Sequence, residues 1–407
     1  MIVKRLIRGL LRALAAAILL VAGLAVMLLV VTGLEHRMPL ELPAPAGPFA
    51  VSRTTFHWMD ESHVDEFAPV TGTKRELLAW VWYPSTPAPA TRADYLPPLW
   101  RTALTRNSGV LMSDFLTRDL SQVRVHSVSN AGLSPAEQRY PVLILRAGLA
   151  ALVTTYTALA EDLASRGYIV VGLDAPYRTT VVVFPDGRVV SRPPKYNLEL
   201  LPVPQQVPFA TRLMTMWSAD IGFAVDELGK LNAADPSSRF TGRLDLQHLG
   251  VVGHSLGGAT AAHFCHEDSR CTAGVDLDGQ PFGSVIQDGL RQPFMFVIAD
   301  HGQLSDPHPS QIGDNFRSIY QQQPADSRLW ITVIGSNHFS FSDQILLKSQ
   351  LLLGAMRRTH VIGGLEGRRG LAITADYVAT FFDVYLKGRS RADLDALARK
   401  YPEAQVR

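Results

Sequence analysis

Apolar positions fall into three regimes along the chain. From Ala13 to Leu34 (ALAAAILLVAGLAVMLLVVTGL) 22 residues pass without a charge, and Lys4, Arg5, Arg8 and Arg12 precede them. At about 1.5 Å of rise per residue the run makes roughly 33 Å of helix, enough for a hydrocarbon layer about 30 Å thick. Cations gather on the inner side of a first span. The pattern therefore predicts a cytoplasmic basic segment at 1–12, a transmembrane signal anchor at 13–34, and the rest of the chain outside the cytoplasm (periplasmic in a Gram-negative cell). Cleavage is the lesser reading. A signal peptide's apolar region runs only about 7–15 residues, and the nearest small-residue site, Ala44-Pro45-Ala46, lies beyond Glu35 and Arg37.

Residues 35–48 are the second regime. Met38–Pro48 (MPLELPAPAGP) holds four prolines and reads as a stiff, extended spacer leading off the membrane. The third regime fills 49–407. Leu77–Tyr83, Val142–Leu145, Tyr168–Leu173, His248–Val252, Val275–Leu277, Phe294–Ile298 and Leu329–Ile334 are short apolar runs bounded by Gly, Pro or Asp. Continuous Val/Ile-rich runs of that length predict strands buried on both faces of a parallel sheet. Between several of them the period turns helical, at Thr154–Ser165, Ala210–Leu231, Ala259–Phe264 and Ala372–Leu386. The alternation predicts an α/β domain, a mostly parallel, doubly wound sheet with helices on both faces. Ser85–Gln138, Thr179–Val207 and Phe339–Gly370 fit no repeating unit and read as insertions around the mouth of a site. No internal repeat is present, so one large domain is the economical reading.

Composition removes several classes of function. With 47% hydrophobic residues and a net charge of +2, a disordered bulk is excluded. Two cysteines in 407 residues cannot staple a fold of this size. Four of the 39 basic residues lie in the first twelve positions, which leaves 35 against 37 acidic ones and no basic footprint for nucleic acid.

Candidate chemistry begins at Gly253-His254-Ser255-Leu256-Gly257-Gly258. An apolar strand (HLGVV) runs straight in and a small-residue helix (ATAAHF) runs straight out. That is the strand–turn–helix setting in which a G-x-S-x-G turn exposes a nucleophilic serine. Gly253 and Gly257 suit a turn too tight for side chains. The bland alternative is a Gly-rich turn that only packs helix on sheet. A serine hydroxyl needs a base, and the base an orienting carboxylate, in the chain order Ser, acid, His. His338 follows the run Leu329–Ile334 and sits on a loop at a strand's carboxyl end, where open α/β sheets place their sites. His301 and His308 are its rivals. For the acid, Asp278 and Asp300 both end strands after the serine and both satisfy the order. Asp276 lies deeper in its strand and reads as structural.

These residues, with others, resemble the platelet-activating factor acetylhydrolases of the plasma and intracellular isoform II type. The resemblance runs from about Phe56 to the C-terminus. It includes Arg75-Glu76-Leu77 leading to Trp82-Tyr83-Pro84, and Tyr140-Pro141-Val142 leading to Gly148-Leu149. It continues through Ala160-Glu161-Asp162-Leu163-Ala164-Ser165-Arg166-Gly167-Tyr168, Phe184-Pro185-Asp186-Gly187-Arg188, the serine turn, Cys265 to Cys271, Ala273-Gly274 and Leu277-Asp278-Gly279. It implies an α/β-hydrolase fold, Ser255 as nucleophile, His338 as base and Asp278, rather than Asp300, as acid. It also implies an oxyanion hole made by the backbone N–H groups of Leu149 and Leu256. There is one departure. The family usually has His-Gly after its third strand, where this chain has Arg146-Ala147-Gly148-Leu149, so the hole would lose a histidine's support while keeping its main-chain donors.

The resemblance implies a serine carboxylic-ester hydrolase acting through an acyl-enzyme on lipid esters, namely phospholipids with short or oxidised sn-2 acyl chains. A general short-chain or polyester esterase is the alternative within the class, and a non-catalytic envelope scaffold of the same fold is the alternative outside it. The implied partners are a small-molecule or lipid ester and, through the N-terminal helix, a membrane. No cofactor, metal or nucleic acid is called for, and no oligomeric state follows. Cys265 and Cys271 have five residues between them, and outside the cytoplasm that spacing allows a disulfide. A metal set of His263, Cys265, His266 and Cys271 would crowd the helix leaving the serine, and two free buried thiols are the bland alternative.

Overall fold

The computed structural model describes residues 2–87, 91–110, 116–300, 311–359 and 362–407. His301 and His308 lie outside the described residues. Each apolar run expected to be a strand is one; five are lengthened, and Tyr168–Leu173 and Leu329–Ile334 are shifted by one residue. In chain order the strands are β1 (Leu40–Glu41), β2 (Ala50–Val64), β3 (Lys74–Ser85), β4 (Arg92–Asp94), β5 (Val123–Ser129), β6 (Tyr140–Arg146) and β7 (Ile169–Asp174). After them come β8 (Val181–Val183), β9 (Val189–Ser191), β10 (Leu244–His254), β11 (Cys271–Leu277), β12 (Phe294–Ala299), β13 (Arg328–Val333) and β14 (Ala404–Val406).

The main sheet runs β1-β5-β2-β3-β7-β6-β10-β11-β12-β13-β14, with β4 on β5 and β8–β9 a separate hairpin. Its centre, β7-β6-β10-β11-β12-β13, is parallel throughout. Antiparallel β3 and β14 flank that centre. Successive side chains of a strand point to opposite faces, and β6 shows the consequence. Val142 and Ile144 pack with Ile221, Ala224 and Phe264 on one face, while Leu143 and Leu145 pack with Ala158, Tyr377 and Phe382 on the other. The covering helices are Val203–Ala233 and Leu256–Glu267 on the first face, Thr157–Ser165 and Gly367–Lys387 on the second. This is the α/β-hydrolase arrangement the sequence implies.

Three expectations change. The segment Ser85–Gln138 is not chiefly an insertion at the mouth of a site. It supplies β4 and β5, which extend the sheet's edge, because VRVHSVS alternates with a period of two and buries Val123, Val125 and Ser127. The strand β2 went unmarked by apolar runs, since its sequence AVSRTTFHWMDESHV is half polar and only partly buried. Of the spacer at 35–48, residues 35–37 continue the N-terminal helix; the rest is extended, as its prolines require, yet it lies on the domain. Leu40 and Leu42 are buried, Ala46 N–H donates to Asp162 Oδ1 at 2.8 Å, and Gly47 N–H donates to Ser165 Oγ at 2.9 Å.

The N-terminal helix runs Ile2–Arg37, past the expected end at Leu34. Its part from Arg5 is apolar and long enough to cross a membrane, and the side chains there are largely exposed. Its last turn touches the domain, where Glu35 accepts from Ser349 Oγ and Gln350 N–H, both at 2.6 Å. Cys265 and Cys271 are bonded, with Cα atoms 5.0 Å apart. That bond uses both sulfurs and removes the thiolates that the four-residue metal set needs.

Candidate active site

Strand β10 ends at His254 and the helix Leu256–Glu267 begins one residue later, so Ser255 is the whole turn. Its backbone sits at φ 57°, ψ −129°, a region that costs a non-glycine residue on the order of 1–3 kcal/mol and persists only where neighbours over-determine it. They do so here. Ser255 N–H donates to Leu277 O at 2.9 Å, and Ser255 O accepts from Gly258 and Ala259 at 2.8 and 3.1 Å. The glycines are required by close approach. A Cβ on Gly253 would stand 2.0 Å from Gly257 O, and one on Gly257 would stand 2.4 Å from Arg146 O.

Asp278 is the first residue beyond β11 and also has a positive φ, 57°. Its side chain is 4% exposed. Oδ1 accepts from Ala299 N–H at 2.9 Å, and Oδ2 lies 2.7 Å from His338 Nδ1. A carboxylate accepts only, so Nδ1 carries the hydrogen and Nε2 is left bare to take a proton. His338 opens a short turn, His338–Phe341, fixed by reciprocal bonds between Asn337 and Ser340. Asp300 has other work. Its Oδ2 accepts from Gly335 N–H at 2.8 Å and its own N–H donates to Ser336 Oγ at 3.2 Å, which braces the loop leading to His338. Asp276 is fully buried and accepts from Gly279 N–H at 2.7 Å; burial raises its pKa well above the carboxylate range.

The loop after β6 presses on the serine: a Cβ on Gly148 would stand 3.1 Å from Ser255 Cβ. Two side chains that the sequence reading passed over organise this loop. Tyr156 Oη accepts from Gly148 N–H at 3.2 Å and lies 2.8 Å from His254 Nδ1, while His254 Nε2 lies 2.7 Å from His338 O. A carbonyl cannot donate, so Nε2 carries the hydrogen, Nδ1 accepts from the tyrosine hydroxyl, and the ring is neutral. Burial, reinforced by the nearby His338, lowers the His254 pKa to about 3, which agrees with that tautomer. Gly148 N–H is thereby engaged. Among the described residues the N–H groups of Leu149 and Leu256 have no protein acceptor, and the latter opens a helix, where the backbone dipole favours negative charge.

A cavity of about 360 Å³ gathers these groups: Leu149, Ser255, Leu256 and His338 line it, with Phe209 and Phe282 on its apolar wall. Beneath the loop, Arg146 is buried over the Trp217 ring, 4.4 Å from its centroid, with Asp220 at 4.0 Å. Burial lowers its pKa to about 10. In this chain the side chain preceding Ala147 is therefore a structural cation rather than a pocket group.

Comparison with known proteins bears on the family and the fold. The chain matches the family model of platelet-activating factor acetylhydrolase, isoform II, over residues 61–181 and 213–392. It is 22% identical over 408 residues to a protein of Arthroderma benhamiae described as a probable 1-alkyl-2-acetylglycerophosphocholine esterase, covering 95% of this chain and 99% of that one. It is 27% identical over 292 residues to a platelet-activating factor acetylhydrolase of Cavia porcellus, covering 67% of this chain and 64% of the relative. Among solved structures, a ferulic acid esterase from Streptomyces cinnamoneus superposes with a TM-score of 0.73 at 30% identity, covering 90% of this chain and 99% of the other.

Proposed function

Because the chain belongs to the platelet-activating factor acetylhydrolase, isoform II, family, we propose that it is a phospholipid esterase in which Ser255, His338 and Asp278 act as a catalytic triad. Ser255 Oγ attacks the ester carbonyl while His338 Nε2 takes its proton. Asp278 holds the imidazole in the required tautomer and stabilises its charge. The N–H groups of Leu149 and Leu256 receive the developing oxyanion, each worth about 3–4 kcal/mol to the transition state. His338 then returns the proton to the leaving alcohol, and water cleaves the acyl-enzyme by the same route. The observation that carries this reading is the 2.7 Å bond between buried Asp278 and Nδ1 of His338, whose ring lines the same cavity as the strained serine.

The relatives' names point to a phospholipid with a short, acetyl sn-2 chain, and the resemblance noted in the sequence extends the proposed class to oxidised sn-2 chains. The ferulic acid esterase neighbour favours a second reading, an esterase for small aromatic or short-chain esters. The N-terminal helix is proposed as a membrane anchor. A fluorophosphonate probe should label the wild type and not Ser255→Ala, which should keep its fold and lose hydrolysis. A folded variant with near wild-type activity would remove Ser255 from the mechanism. Turnover of 1-alkyl-2-acetylglycerophosphocholine against a p-nitrophenyl and feruloyl ester panel decides between the two substrate classes.

A further inference from the structure

Next to the catalytic cavity lies a larger one of about 930 Å³. Leu149, Ala151 and Gln344 line both, so the proposed oxyanion loop is their common wall. The last turn of the N-terminal helix closes its far side: His36 lines it, with Nδ1 2.7 Å from Thr117 O. Four cations, Arg101, Arg118, Arg192 and Lys348, line this cavity against one carboxylate, Asp119. That balance is opposite to the chain's own, which beyond its first twelve residues has 35 basic against 37 acidic residues.

Three of these cations differ in their surroundings. Arg101 has Asp94 at 3.9 Å, Arg118 has Glu35 at 3.9 Å, and Asp119 spends its Oδ1 accepting from Ser121 N–H at 2.8 Å. Lys348 is half-buried, its ammonium donates to Thr117 Oγ1 at 3.2 Å, and no carboxylate lies within ion-pair distance of it among the described residues. Burial accordingly lowers its pKa. A desolvated ammonium without a counter-ion is unfavourable until an anion joins it.

We propose that this cavity is a subsite for the phosphodiester of a phospholipid whose short acyl ester reaches Ser255 past Leu149. This rests on the phospholipid-esterase reading above and adds the group that selects the lipid. A phosphodiester brings one negative charge and two free acceptor oxygens, which suit the Lys348 ammonium and the Arg192 guanidinium. A neutral ester of the same length gains nothing there. With the N-terminal helix as anchor, its last turn holds the cavity at the depth of the lipid phosphates, and the substrate passes in from the leaflet beside the helix.

The test uses the full-length protein in detergent micelles and two esters, 1-alkyl-2-acetylglycerophosphocholine and 1-alkyl-2-acetylglycerol, which differ only in the head group. In Lys348→Met the ratio of kcat/KM for the phospholipid over the neutral ester should fall about tenfold, mainly through KM, and Lys348→Arg should restore most of it. An unchanged ratio, or an equal loss on both esters, overturns the subsite. A competition arm needs no phospholipid turnover. Glycerophosphocholine should inhibit cleavage of the acetylglycerol, about tenfold more weakly in Lys348→Met, whereas inhibition by inorganic phosphate alone would overturn the lipid assignment. A protein that cleaves the acetylglycerol and not the phospholipid fails the substrate reading, and the competition arm still judges the cavity.

Discussion

Asp278 and Asp300 end neighbouring strands, and each accepts a hydrogen bond from a backbone amide. They differ in what the second oxygen meets, and only Asp278 meets His338. Asp278→Asn should lower kcat by about 10³–10⁴-fold, because a carboxamide can favour the wrong imidazole tautomer. Asp300→Asn keeps an acceptor for Gly335 and should cost less than about tenfold. Steady-state kinetics on one ester ranks the two, and the reverse ranking would move the acid to β12. Tyr156 carries a subtler prediction. Tyr156→Phe removes the acceptor of Gly148 N–H and the donor to His254, so the loop and the serine turn lose their tie. A fall of about tenfold in kcat with little change in KM is expected, since the hydroxyl is engaged by Gly148 N–H and His254 Nδ1; a change confined to KM would argue against a positioning role.

His254 also makes the fold sensitive to acid. Its native pKa is about 3 against an ordinary 6.5, so the unfolded chain binds a proton in that interval that the folded one refuses. Stability from this group is complete above pH 6.5 and falls as pH drops toward 3, by up to about 1.4 kcal/mol per unit. Urea unfolding followed across pH 4–7 should show a shallower slope in His254→Gln than in wild type. Equal slopes would mean that the ring already charges in the folded protein.

At the scale of elements, what could be read in advance was what one local pattern dictates. The buried parallel strands announce themselves because a strand covered on both faces has no polar positions to interrupt it, as in Leu249–His254. The serine turn was legible because three glycines are needed within six residues, and the structure gives the reason at Gly253 and Gly257. The two candidate acids could not be separated by pattern, since the choice lies in a contact across 60 residues of sequence. Tyr156 and His254 left no signal for the same reason: their partnership spans 98 positions. β2 and β5 were invisible because partly buried strands toward the sheet's margin mix polar and apolar residues, and the proline-rich segment looked free because nothing local reveals that Leu40 and Leu42 have a surface to cover. The turn itself should be unforgiving. Gly257→Ala places a methyl against Arg146 O, so the loop after β6 must move, and both a lower melting temperature and a loss of at least about tenfold in activity are expected. A variant with wild-type activity would show that this loop does not hold the oxyanion.

On the scale of the whole molecule, the N-terminal helix is the least satisfied part of the structure in water. Its leucines and valines from Leu6 to Leu34 are mostly more than half exposed, an apolar surface far beyond what a soluble protein leaves bare. As the anchor proposed above, it would be covered by a bilayer, and the four cations before Ala13 against Arg37 close behind Leu34 would set the direction of insertion. The domain would then hang close to the lipid surface. Glu35 is bonded to Ser349 and Gln350, and the proline segment is tied to Asp162 and Ser165, so no free tether separates helix from esterase. The Cys265–Cys271 bond fits the same side of the membrane, since an oxidising compartment lets it persist. Three measurements on the membrane fraction follow from this arrangement. N-terminal sequencing should find Lys4 to Arg12 retained, protease added to intact spheroplasts should digest the domain, and thiol titration of the denatured protein should find no free cysteine. An N-terminus near Gly47 would make the helix a cleaved leader and the product a released enzyme. Protection from protease together with two free thiols would place the esterase in the cytoplasm, and the lipid leaflet that feeds the basic cavity would then be the inner one.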